Sequence, residues 1–454
     1  MSEESLALRL ARMVVGLDLD DLPDRAVEVA ELQVLDQLGV QVLGSTLANV
    51  SAVPRLVAAM GARPDATIVG SDGRTIAAYA AYANGTLAAA CEFDDAHMAA
   101  SHPGSYVVPA ALALGESTGA SGREVVTAII AGVQVMALLG SAALRPAMAS
   151  GWHVAKIFGT FGATAVAGRL LGLDPQRLTH AFGIAGSDVS GTVECEFSGG
   201  EVKRLHPGSA GRNGIQAAQL AAGGMTGPAT TIEGRHGLFR MFGGDTVDFG
   251  AVERTWDRTH IVDTVFRMYP TIGSAAPALD GVGRLVAHHD LRPETIRRIR
   301  LGVPSFAIEG ALASRRPTDA VSAQFSTAFS VALLLARGGN RPADYFASEL
   351  WTDPDVTHIL DRIEFYATEF EADLPPLSCR IDIELDGGRC LSHVQHGFRG
   401  HPDHADTDDR DVVTKFLANV SGVLDPEAAE EIRDAVATLG DVDGVGGLMA
   451  LTVP

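Results

Sequence analysis

Hydrophobic positions from about residue 6 to residue 260 recur at helical spacing almost without interruption. Residues 26–43 place Val27, Ala30, Val34, Leu38 and Val40 or Val42 on one broad apolar face, with Pro23 just upstream as a helix starter. Ser121-Gly-Arg-Glu124 reads as a capping box, in which the serine and the glutamate each satisfy a free backbone N–H at the helix start. Asp174-Pro175 marks another helix start by the same logic. After about residue 263 the pattern changes, and alternating or continuous β-type runs appear at 299–303, 379–385 and 390–395. The last two flank Asp386-Gly-Gly, whose glycines permit a tight turn, so they are expected to form a hairpin. A helix is expected at 324–336 and further helix at 411–439, with the acidic, polar stretch 400–411 as the crossover. The expected fold is mainly α, with a large helical domain from residues 1–262 and 405–454 and a smaller α+β domain from 263–404.

Length and composition sharpen this picture. A chain of 454 residues exceeds one ordinary core and suggests two domains. With 46% hydrophobic and 20% charged residues it has the balance of a folded globular protein. Its 50 glycines, many in Ala/Gly/Val runs such as 77–90 and 159–168, suggest helices packed backbone to backbone. Residues 125–144 are uncharged and long enough to cross a membrane. They lack the aromatic belt and basic flanks of a span, so a fully buried helix is expected instead. The formal charge of −21 and the lack of a dense Lys/Arg run argue against nucleic acid and against an anionic membrane surface as partners. The four cysteines, Cys91, Cys195, Cys379 and Cys390, contain no metal-type pair, and the acidic N-terminus does not resemble a signal peptide. A cytoplasmic protein with reduced thiols is expected.

Three clusters carry candidate chemistry. Cys91-Glu92-Phe93-Asp94-Asp95-Ala96-His97, followed by His102-Pro-Gly104, gathers carboxylates and histidines whose proton affinities neighbouring charge and burial can separate. The same residues also suit a helix-capping cluster. Gly151-Trp152-His153 with Lys156 offers a histidine as a base, and the glycines after it suit helix packing better than phosphate binding, since no strand precedes them. Glu201-Val-Lys203-Arg204-Leu-His206, with Arg212 beyond, is a concentration of cations in an acidic chain. It suits a carboxylate clamp or a lattice of salt bridges equally well. No Gly-x-Ser-x-Gly, His-Glu-x-x-His, phosphate loop or dinucleotide fingerprint is present, which removes most hydrolase and dehydrogenase readings.

Taken in order, Leu35-Asp-Gln-Leu-Gly39, Asn84-Gly-Thr, Phe93-Asp-Asp95, His102-Pro-Gly104 and Val107-Val-Pro109 resemble the MmgE/PrpD family. The resemblance continues through Lys203-Arg-Leu-His206, Thr226-Gly-Pro228, Glu233-Gly-Arg-His-Gly237, Tyr269-Pro270, Gln324-Phe-Ser326 and Gly400-His-Pro402. It implies a homodimer without metal or organic cofactor that acts on a small polycarboxylate by proton transfer beside a carboxylate. Dehydration is the favoured reaction, and epimerisation or carboxylate binding without turnover are the alternatives. It also implies catalytic roles for Glu92, His102, His153 and Lys203, with Arg267 in place of a basic residue before Tyr269-Pro270; Asp95, Arg204, His206, Arg212 and Arg267 are the expected substrate-binding residues. Four departures matter. Glu92 replaces a common aspartate, Ala96 replaces a threonine, Ile272 stands where the decarboxylases carry a histidine, and Ala313 stands where a tyrosine is seen. The changes argue against decarboxylation.

Overall fold

The computed structural model describes residues 4–289, 291–305, 308, 316–370 and 377–454; Ala313 lies outside the described residues. The expected helices form. Residues 26–43 lie inside helix Asp24–Ser45, and Ser121 and Glu124 form the reciprocal capping box that opens helix Gly122–Ala149. That long apolar helix is sheathed by the rest of the bundle, with 94% of its most apolar window buried. Its neighbours supply the hydrophobic surroundings that its uncharged sequence demands.

Close approach depends on glycine at specific crossings. A Cβ on Gly85 would come within 2.8 Å of the Gly208 backbone, and one on Gly208 would strike the Tyr82 carbonyl. Helices Ala77–Ala88 and Leu205–Ala222 therefore cross with their backbones in contact. This crossing matters for the site, because it carries the start of the second helix up against the loop that follows the first.

The main hydrophobic core runs from Leu6 through Phe266 and takes in Val412, Phe416, Ile432 and Met449 from the other end of the chain. The helical part is thus built from both ends. A second core, from Ala275 to Leu391, belongs to the α+β part. Its sheet orders strands Ile363–Ala367, Ile296–Val303, Ser378–Leu385 and Cys390–His396; the first pair is parallel and the others antiparallel. Ile381 and Ile383 point into this core while Arg380 and Asp382 point away. The expected hairpin turns through Gly387 and Gly388, both at φ 82°, a conformation that glycine adopts without steric cost.

Three local expectations needed adjustment. The helix expected at 324–336 is two helices, Ala320–Gln324 and Thr327–Arg337, because Ser326 leaves helical geometry to cap the second. The helix expected at 411–439 likewise splits into Asp409–Val420 and Pro426–Val436. Strand Ile363–Ala367 and the short ladder Ala66–Thr67 with Arg74–Thr75 were not anticipated, being too short to show a period.

Candidate active site

Three long helices begin at one small cavity. His102 is the N-cap of helix Pro103–Thr118, His153 is the N-cap of Val154–Leu170, and the turn Glu201–Arg204 leads into Leu205–Ala222. His102, His153 and Lys203 all line the cavity. Neither histidine makes a side-chain capping bond. Aligned peptide dipoles at helix starts favour negative charge, so this convergence suits an anionic ligand. The α+β part closes the cavity with Arg267, Ile272, Gly273 and Phe325, and its volume is about 190 Å³. That is below the roughly 300–1,000 Å³ typical of drug-sized pockets, so the ligand must be small.

The charged frame is a continuous chain of ion pairs. Lys203 Nζ donates to Glu92 Oε1 at 2.6 Å and sits 4.6 Å above the Phe325 ring. Arg267 lies 3.3 Å from Glu92 Oε2, pairs with Asp94, and donates through Nε to the Asp94 carbonyl at 2.5 Å. Burial pushes the Glu92 carboxyl up, but Lys203 and Arg267 together outweigh it and hold the group well below its ordinary 4.5. Glu92 and Ser101 are the non-glycine residues with positive φ among the described residues, at 53° and 65°, and both line the cavity. Such conformations cost about 1–3 kcal/mol and persist where the surroundings impose them, as they do at functional sites.

His102 has its tautomer set by the fold. Its Nδ1 lies 2.9 Å from the Asp95 carbonyl, which can only accept, and 3.3 Å from Arg267 Nη2, which can only donate; the shorter contact favours the tautomer with the proton on Nδ1 and the lone pair on Nε2. Burial, with Arg267 and Lys203, holds its proton affinity below the ordinary 6.5 against the opposing charge of Asp94. The ring is therefore neutral at pH 7 and able to accept a proton. His153 is pushed further down, by burial and then by His206 and Lys203. Its ring meets that of His206 edge to face at 4.4 Å, and both Nδ1 atoms are buried without a hydrogen-bond partner.

The structure brings Glu92, His102, His153, Lys203 and Arg267 together and keeps four expected residues out of the cavity wall. Asp95 turns inward, where its carboxylate accepts from Gln33 Nε2 at 2.6 Å, Gln37 Nε2 at 3.2 Å and the Gly104 N–H at 2.9 Å. Arg204 is spent on the Ala89 and Ala90 carbonyls, Glu201 and Gln324 Oε1, so it pins the α+β part to the bundle instead of clamping substrate. His206 lies behind His153. Arg212 pairs with Asn213 and stacks 4.9 Å over Tyr82. Reading the sequence missed Asp94 as the Arg267 partner, and it missed Trp152, Glu196 and Phe325 as wall residues. Two acids in Glu194-Cys-Glu196 were a signal, but nothing local says that the Trp152–Thr192 bridge folds that segment over the cavity.

Elsewhere, His97, His260 and Asp263 are spaced closely enough to suggest a metal site. His97 is already committed, since Nδ1 accepts from the Ala99 and Ala100 N–H groups and Nε2 faces the His260 carbonyl at 2.9 Å. The cluster is a structural knot beneath the loop.

The chain also has relatives among known proteins. Residues 8–249 match the MmgE/PrpD N-terminal domain and residues 269–441 the MmgE/PrpD C-terminal domain. Cis-aconitate decarboxylase of Homo sapiens is 27% identical over 99% of this chain and 95% of its own length. The cis-aconitate decarboxylase-like protein oryM of Aspergillus oryzae is 26% identical over 99% and 97% respectively. Cis-aconitate decarboxylase of Aspergillus terreus is 24% identical over 99% and 96%.

Proposed function

The chain belongs to the MmgE/PrpD family, and from that membership we propose that it is a lyase acting on a small di- or tricarboxylate by moving a proton at the carbon beside a carboxylate. The observation that carries this reading is His102, an imidazole neutral at pH 7 with its lone pair on Nε2, in the same small cavity as Lys203 and Arg267. His102 Nε2 takes the proton. The negative charge that develops on the adjacent carboxylate is held by Lys203, Arg267 and the helix starts, a kind of stabilisation for which losing one donor typically costs about 10²–10³ in rate. Glu92 and Asp94 hold the two cations in register, so the pocket is nearly neutral before substrate enters.

Elimination of water is the finer reading, because it asks for a base, a cation frame and an acid, and the cavity wall offers all three. The names of the relatives favour decarboxylation as a second reading. Against it stands Ile272 in the cavity wall, at the position where the resemblance puts a histidine in the decarboxylases. Proton NMR in D₂O with citrate, 2-methylcitrate, aconitate and an iminodisuccinate-type acid separates the outcomes. Loss of water from a hydroxy acid with a new vinyl signal marks a dehydratase, and loss of a carboxyl from aconitate marks a decarboxylase. Deuterium entry without a new product class marks an epimerase. His102→Gln should slow the exchange about 10²–10⁴-fold; an unchanged rate would remove His102 from the chemistry.

A further inference from the structure

Glu92 and Glu196 line the cavity and Asp94 lines a small void beside it, and the three carboxylates are not equivalent. Glu92 is paired with Lys203 and Arg267, and Asp94 with Arg267. Glu196 has no ion pair among the described residues. It is held against the cavity by the backbone: His153 N–H donates to the Gly191 carbonyl at 2.9 Å and Val193 N–H to the Gly151 carbonyl at 3.1 Å, which lays the segment beside Trp152. A half-buried carboxylate outside the ion-pair chain has no structural task that its neighbours reveal.

We propose that Glu196 is the acid of the elimination, protonating the hydroxyl group as it departs from the substrate. The proposal rests on the dehydration reading above. His102 Nε2 removes the proton beside the carboxylate, the C–H pair is held as an enolate-type carbanion by Lys203 and Arg267, and that pair then becomes the new C=C bond. The C–O bond breaks with its electrons going to oxygen, the proton on Glu196 passes to that oxygen, and water leaves. Glu196 is then ionised and His102 protonated, and one proton returned from His102 to Glu196 through solvent resets the site. The alternatives fit less well. Lys203 is engaged with Glu92, and His153 sits where burial and adjacent cations disfavour an imidazolium. Glu196 is the group whose surroundings favour the protonated form, chiefly through burial, with Lys203 opposing and the charge of Glu92 adding.

Glu196→Gln tests the assignment with citrate in D₂O, where one spectrum reports both deuterium entry at the methylene carbons and formation of the vinyl product. Dehydration should fall about 10²–10⁴-fold while deuterium entry stays near the parent rate. An analogue carrying chloride in place of the hydroxyl, which needs no acid to depart, should be eliminated by the variant as fast as by the parent. Glu194→Gln, an exposed neighbour on the same short helix, should change neither signal. Dehydration of citrate by Glu196→Gln at the parent rate overturns the assignment and leaves the lyase reading intact, and joint loss of exchange and elimination overturns it too. A parent enzyme that neither exchanges nor dehydrates citrate or 2-methylcitrate brings down the dehydration reading, and this proposal with it.

Discussion

Asp95→Asn separates positioning from catalysis more cleanly than any change in the cavity wall. The Asp95 carboxylate receives only donors, from Gln33, Gln37 and twice from the Gly104 N–H. An asparagine keeps one acceptor oxygen and must turn its NH₂ group toward a donor, a mismatch worth about 1–3 kcal/mol. A second effect has the opposite sign. Burial first, then the charges of Asp94 and Asp36, push Asp95 up to about 7 from 3.8, against the pull of the Gln33 and Gly104 donors. A carboxyl with a raised folded-state value binds its proton more tightly folded than unfolded, so its contribution to stability is full at low pH and is lost as pH rises between about 4 and 7. The gap corresponds to roughly 4 kcal/mol at about 1.36 kcal/mol per pH unit, which exceeds the hydrogen-bond loss. The asparagine variant cannot ionise and escapes that cost. Its stability relative to the parent is therefore expected to rise from pH 5 to pH 8, as read from thermal unfolding midpoints in matched buffers. Because the Asp95 carbonyl also holds His102 Nδ1, deuterium exchange into substrate should slow by about 10²-fold, the scale of a 1 Å misplacement, with KM little changed. Parallel midpoint curves from pH 5 to 8, or an unaltered exchange rate, would refute the reasoning.

Glu92 titrates in the other sense: its lowered value makes its contribution present above about 4.5 and lost on acidification, so Glu92→Gln should flatten the fall of the unfolding midpoint below that pH. Lys203→Met leaves the Glu92 carboxylate with only Arg267 at 3.3 Å and should cost up to about 3–5 kcal/mol, measured by denaturation. The double variant Lys203→Met/Glu92→Gln should recover most of that stability but no activity, and recovery of both would remove Lys203 from catalysis. Arg204→Met, which cuts the bond to Gln324, should lower stability by a similar amount, about 3–5 kcal/mol, while KM holds, because Arg204 is not in the cavity wall. Dialysis against EDTA should leave turnover unchanged; loss that a divalent ion restores would contradict the cofactor-free expectation.

Much of this protein was legible from the order of its residues. Helical periodicity, capping signals such as Ser121 with Glu124, and the glycine turn at 386–388 are local features, fixed by neighbours within a few positions, and the structure reproduces them. The motifs that resemble the MmgE/PrpD family also led to Glu92, His102, His153, Lys203 and Arg267, which the fold assembles at one cavity. What the sequence could not assign was direction. Asp94 and Asp95 are adjacent and chemically alike, yet one faces Arg267 and the other Gln33, because consecutive side chains on an irregular loop diverge and only packing fixes which way each turns. Lys203 and Arg204 part in the same way, one to the cavity and one to the seam with Gln324. Glu196 joins the wall through backbone bonds to Gly151 and His153, contacts that reach more than 35 residues back along the chain and leave no period or motif behind. Residue type and order determined which chemistry this chain carries. Long-range packing, which sets burial and partner together, decided which of several similar groups was aimed at the substrate.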